Sequence, residues 1–187
     1  MCKSAIALLL EDPLPSVLLS KLHRRVIPWL WLGFTFNVIN RSNLAFAAIE
    51  MAPALGLSQA DIGFAAGVFF MSYAAMQVPS NLLLSRVGAR RVLSTCLVVW
   101  GMISSATGMV SNANSLSLLR FLLGLAQSGY YSGCMLFLRG FFPTAESAHA
   151  IALFITAGAA GTIVCSLSSG LIMSSTDGLL GLAGWRW

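Results

Sequence analysis

Two arginines sit where an arginine is costly. Arg41 lies in "NVINRSNLAFA", residues 37–47, directly after the run "VIPWLWLGFTF". Arg120 opens "RFLLGLAQSG", residues 120–129, a few residues into another apolar run. A guanidinium at the centre of a membrane span costs about 2.5–3.5 kcal/mol on insertion scales. Arg120 is near enough to a span end to snorkel toward the interface. Arg41 is about fifteen residues deep, which snorkelling does not explain. A planar five-donor fork suits two-point contact with a carboxylate or phosphate, so the chemistry these residues suggest is binding of an anion.

Helical spacing groups other polar residues with them. Asn37, Asn40 and Arg41 stand at i, i+3 and i+4, with Asn43 just beyond. Arg120, Gly124 and Gln127 stand at i, i+4 and i+7, and Tyr73 and Gln77 are one turn apart. Three such stripes are expected to converge on one cavity, with Arg41 as the main anion contact and Arg120 as the second. Tyr73, Gln77, Asn37 and Asn43 would line the path. The competing reading is hydrogen bonding between helices, worth about 0.6 kcal/mol on average. It accounts well for Asn and Gln and poorly for a guanidinium.

Acids and histidines define what the chain does not do. Glu11, Asp12, Glu50, Asp61, Glu146 and Asp177 fall in the tail, in loops or at span ends, and His23 and His149 are also at edges. Intramembrane proteolysis or metal chemistry needs such groups inside the spans, and Ser132 and Cys134 have no base nearby in sequence. The reading is therefore not an enzyme, with no cofactor and no metal. Cys2, Cys96, Cys134 and Cys165 show no recurring spacing and read as small apolar residues.

The elements that position these residues follow from composition. The 187 residues are 57% hydrophobic and 9% charged, against about 25% charged in soluble domains. A soluble core of this size cannot hide so much apolar surface; the bilayer is its natural solvent. Five apolar runs, at about 26–49, 60–84, 92–110, 116–137 and 148–174, approach the roughly 20 residues that a helix needs to cross. Helices are expected because an open lipid-facing strand leaves backbone groups unpaired. Basic residues cluster at alternate connections: Lys21, Arg24 and Arg25, then Arg86, Arg90 and Arg91, then Arg139. The positive-inside rule places the N-terminus, a tail over residues 1–25, in the cytoplasm or its equivalent. The net charge of +5 arises from these clusters and does not point to nucleic acid. Trp185 and Trp187 around Arg186 read as an interfacial belt opening a sixth helix. Glycines in the fourth and fifth runs (Gly124, Gly129, Gly133, Gly158, Gly161, Gly170) suit close helix approach.

Residues 40–91, with "WGMISSATG", "RFLLGLAQSGYYSG", "FFPTAESAHA" and the terminal "GWRW", resemble the anion:cation symporter family of the major facilitator superfamily. "RVGARR", residues 86–91, resembles that superfamily's loop between helices two and three, with Ser85 where an Asp is usual. The resemblance implies an all-α membrane protein: about five transmembrane helices plus the start of a sixth, forming a partial N-terminal half over residues 26–187. It implies carriage of a small organic anion, such as tartrate, phthalate, hexuronate, glucarate, allantoate, sialate, glutamate or phosphate. It also implies a missing C-terminal half or a partner subunit beside the lipid bilayer. Two departures stand out. The family's Asp-Arg-x-Asn is here Asn40-Arg41-Ser42-Asn43, and its Ala-Glu-Ala-Gly is Ala126-Gln127-Ser128-Gly129. Those carboxylates handle protons in symporting members by analogy, and amides do not titrate. The expectation is anion binding kept and proton coupling lost or relocated. A non-transporting binding or partner protein, or an inert fragment, is the alternative, and the sequence names neither the anion nor the membrane.

Overall fold

Each apolar run forms a helix, and four of the five helices are longer than their runs, while the third, at Ala89–Thr107, is 19 residues and stops short of residue 110. A computed structural model describes residues 16–178, 181 and 183–186. Helix α1 spans Ser16–Leu55, α2 Gln59–Val87, α3 Ala89–Thr107, α4 Ala113–Phe141 and α5 Thr144–Thr176, followed by a 3-10 turn at Gly184–Arg186. Residues 16–25, expected in the tail, belong to α1. Lys21, Arg24 and Arg25 are good helix formers whose stems can lie along the apolar surface while their charges stay in water. The rest of the expected tail, and Trp187 of the expected belt, lie outside the described residues.

The helix ends show why the connections are short. Ser58 caps α2: its hydroxyl accepts from the Asp61 amide, while the Asp61 carboxylate accepts from the Ser58 amide at 2.9 Å. Asn112 and Ser115 make the same reciprocal box before α4. Between α2 and α3 a single residue, Gly88, reverses the chain at φ 96°. An L side chain rarely adopts that conformation, so glycine is required there.

The two largest helix pairings join helices that are not consecutive in the chain. Helix α2 packs mainly on α4, α1 on α5, and α3 on α4. The α1–α5 seam is tied by Trp31 Nε1 donating to Thr156 Oγ1 at 3.0 Å and by Thr35 Oγ1 donating to the Ala157 carbonyl at 3.5 Å. The α2–α4 seam is closer. A Cβ on Gly124 would lie 2.0 Å from Ser72 Oγ and 2.4 Å from the Phe69 carbonyl oxygen, so the helices touch through backbone. Gly124→Ala should therefore lower the thermal midpoint of the purified chain in detergent, through overpacking of about 1–3 kcal/mol. Gly140→Ala, where a Cβ meets nothing within 4 Å, is the control that should leave the midpoint unchanged.

Two apolar clusters stack along the bundle. One gathers Ile27, Phe69, Trp100, Tyr130 and Phe154 toward the arginine-bearing connections. The other gathers Leu44, Met51, Ala65, Leu116 and Trp185 toward the opposite end. Asn40, Arg41 and Arg120 fall at the level between them. The outer surface is apolar, with Trp29 75% and Leu171 70% exposed. A protein bathed in water avoids such a surface, and lipid accommodates it. Helices α2, α4 and α5 are long and apolar enough to cross a membrane by length and composition alone. In α1 the asparagines and Arg41 dilute the apolar run, while α3 is only 19 residues long and begins with Arg90 and Arg91.

Candidate functional site

Arg41 is held by rings. Its guanidinium carbon lies 4.7 Å from the Tyr73 ring centre, 5.3 Å from Phe70 and 5.4 Å from Phe69. All three rings come from one stretch of α2, where Phe69 and Tyr73 are one turn apart and stack at 6.1 Å. Cation–π contact is worth about 0.5–1 kcal/mol when exposed and about 2 when desolvated. It orients the fork without cancelling its charge. The buried Nε of Arg41 has no hydrogen-bond partner among the described residues. Arg41 is half-buried, and Phe70 beside it is 54% exposed, so the guanidinium can be reached from outside the bundle.

Asn40 points elsewhere, because consecutive helical residues are about 100° apart. Its Nδ2 donates to Ser104 Oγ on α3, and its Oδ1 accepts from Gln127 Nε2 on α4 at 2.9 Å. The two positions singled out by the departures thus meet in a direct amide–amide hydrogen bond. Gln127 is fully buried and its Oε1 is unpartnered. Ser104 was not legible as a participant, since nothing in sequence links it to residue 40.

Arg120 does not join Arg41. It is 6% exposed, its buried Nε has no partner among the described residues, and it lines a hollow of about 210 Å³ that Asn40, Asn43, Ser104 and Arg186 also line. Gln77 lies in a third place, a hollow with Asn81, Ser132 and Arg139. Asn37 is buried in α1 with its Nδ2 unpartnered. The expected single cavity is therefore divided. Arg41 with Tyr73, Arg120 with Asn43, and Gln77 stand in separate surroundings, because α2 takes one side of α1 while α3 and α4 take another. Phe69 and Phe70 were missed as Arg41's neighbours; three aromatics within five positions, Phe69, Phe70 and Tyr73, in an otherwise small-residue stretch were the available signal.

The expected interfacial belt is also different. Trp185 is 8% exposed and packs in the core cluster with Met51 and Leu116. The turn closes because Gly184 N donates to Asp177 Oδ1 at 3.1 Å and Arg186 Nη1 donates to the Gly108 carbonyl at 3.0 Å.

A helical bundle with an apolar exterior and a buried polar layer is an integral, multi-pass membrane protein. The chain belongs to the Major Facilitator Superfamily, whose family model matches residues 30–187. It is 38% identical over 176 residues to a protein of Agrobacterium vitis named "Putative tartrate transporter", covering 94% of this chain and 39% of that one. It is 32% identical over 163 residues to a quinolone resistance transporter of Acinetobacter baumannii, covering 87% and 37%. The chain thus spans about two fifths of the length of these relatives. Among solved structures it resembles an inward-facing, occupied bacterial homologue of the human lysosomal transporter Spinster, with TM-score 0.77 over 88% of this chain and 40% of that one. At 21% identity that likeness speaks to the fold. The relatives and the family are transporters, not enzymes.

Proposed function

We propose that this chain supplies the N-terminal half of a secondary transporter for a small organic carboxylate. One observation carries the reading: a guanidinium at membrane depth is fixed by three rings and has an unpartnered Nε. The rings set its direction and leave the charge for a solute to neutralise. Keeping a charge in the membrane is costly, and a transient anionic cargo is the reason to keep it. In such transporters substrate is held near the midplane between two helical halves, so a second half or partner subunit provides the facing wall. The basic connections support an N-terminus in the cytoplasm or its equivalent. Tartrate is the first cargo to test, since a relative carries that name.

The amides at 40 and 127 support carriage without an obligatory proton in this half. They hold each other at 2.9 Å and neither changes charge between pH 5 and 8.

The test expresses the chain from its native locus, so that any sequence following Trp187 is retained, and reconstitutes it in vesicles. Labelled tartrate should enter saturably and be displaced by other small dicarboxylates. A protein that binds tartrate but never moves it, or moves only neutral solutes, overturns the reading.

A further inference from the structure

The hollow at Arg120 contains a second guanidinium. Arg186 reaches it from the turn after α5, its guanidinium carbon 4.5 Å from the Trp185 ring centre and its Nη1 donating to the Gly108 carbonyl. The approach is built into the backbone, since a Cβ on Gly108 would lie 2.6 Å from the Arg186 carbonyl oxygen. Two cations therefore line one space of about 210 Å³, and among the described residues that line it none is Asp or Glu. Its remaining polar lining is amide and hydroxyl, including Asn43, Ser104 and Ser105. Arg120 is 6% exposed and its Nε finds no hydrogen-bond partner among the described residues, so burial of its charge carries a desolvation cost that this nitrogen does not recover. Arg41 does not line this space.

We propose that Arg120 and Arg186 form a second anion site, separate from Arg41, reaching from the level between the two apolar clusters toward the side of the bundle away from the basic connections. It takes a small carboxylate whose oxygens are shared between the two guanidinium groups, with the Asn43 amide and the Ser104 hydroxyl completing its hydrogen bonds. Arg186 holds its place through Gly108 and Trp185, so its fork is ordered before the anion arrives. Such a site concentrates anions on that side of the bundle, whether or not they are carried further. It is measured by binding alone and stands apart from transport.

Ser105 is exposed, lines the hollow and spends its hydroxyl on the Gly101 carbonyl of its own helix, so Ser105→Cys is a mild reporter. The full chain carrying it is reacted with two methanethiosulfonates of similar size, one a sulfonate and one a quaternary ammonium. Each rate is normalised to that of a small free thiol, and the parent chain sets the baseline from the native cysteines. The anionic reagent should react about tenfold or more faster than the cationic one, and succinate should slow it more than chloride of equal ionic strength. Arg186→Gln should erase most of the preference, as should Gly108→Val, which displaces the turn without removing a charge. Arg120→Gln should do the same where it inserts. Arg41→Gln should leave the preference intact. Equal rates, a faster cationic reagent, or a preference untouched by Arg186→Gln would overturn the site. A preference lost equally with Arg41→Gln would show one shared site and overturn the separation. Loss of tartrate uptake with the preference intact would instead count against transport alone.

Discussion

Arg41→Ala is expected to abolish carboxylate uptake while leaving the protein in the membrane. Truncating one partner of a hydrogen-bonded charge pair costs about 2–5 kcal/mol, or about thirtyfold to several thousandfold in affinity at 1.4 kcal/mol per decade. Insertion should not suffer, because the substitution removes a charge that costs about 2.5–3.5 kcal/mol at a span centre. Uptake and insertion therefore move in opposite directions, which a folding defect would not produce. Arg41→Lys keeps the charge and loses the fork, and should fall between. Tyr73→Phe preserves the ring at 4.7 Å and should be close to wild type. Tyr73→Leu loses one of three ring contacts and should weaken uptake by about threefold to thirtyfold, the equivalent of about 0.5–2 kcal/mol. Initial rates across a tartrate series, beside the amount of inserted protein, decide this. Normal uptake by Arg41→Ala would remove the residue from the site.

What the sequence disclosed and what it withheld divide along physical lines. Five helices were legible because bilayer thickness imposes a length and apolarity that composition reveals directly. Their ends were less so: α1 begins at Ser16 because helix propensity does not stop where apolarity does. Arg41 was legible as anomalous from cost alone. Its ring cage was not, because the rings lie about thirty residues away on α2, and the pairing of α1 with α2 at that level is a tertiary fact. The division between Arg41 and Arg120 was hidden for a related reason. Periodicity says which residues share a face, and not which helix covers that face. Residues 40 and 41 stand about 100° apart on α1, so one turned to α3 and α4 while the other turned to α2. The return of Arg186 to Gly108 spans 78 positions, and no local signal predicts it.

Anion flux through the unmodified protein should proceed without stoichiometric proton movement, provided the other half adds no titrating group of its own. The residues at 40 and 127 form one hydrogen-bonded unit, with Gln127 Nε2 on Asn40 Oδ1 and Asn40 Nδ2 on Ser104 Oγ. Both amides keep their charge state as pH changes, so the unit can hold helices α1, α3 and α4 together without taking up or releasing a proton. The membrane potential is then a sufficient drive, because moving one charge through 100 mV is worth about 2.3 kcal/mol. That equals about a fortyfold concentration ratio. Vesicles with an imposed potassium diffusion potential should accumulate tartrate when the interior is positive and stop when the potential is collapsed, with an internal pH dye unmoved. Asn40→Asp combined with Gln127→Glu places two titratable groups at the same contact. Two carboxyl groups at hydrogen-bond distance favour retention of a shared proton. The double variant should therefore show flux that varies with pH, accompanied by a dye signal that the parent lacks. A proton entering with each anion in the parent, with Asn40 and Gln127 intact, would show that coupling never depended on these two positions.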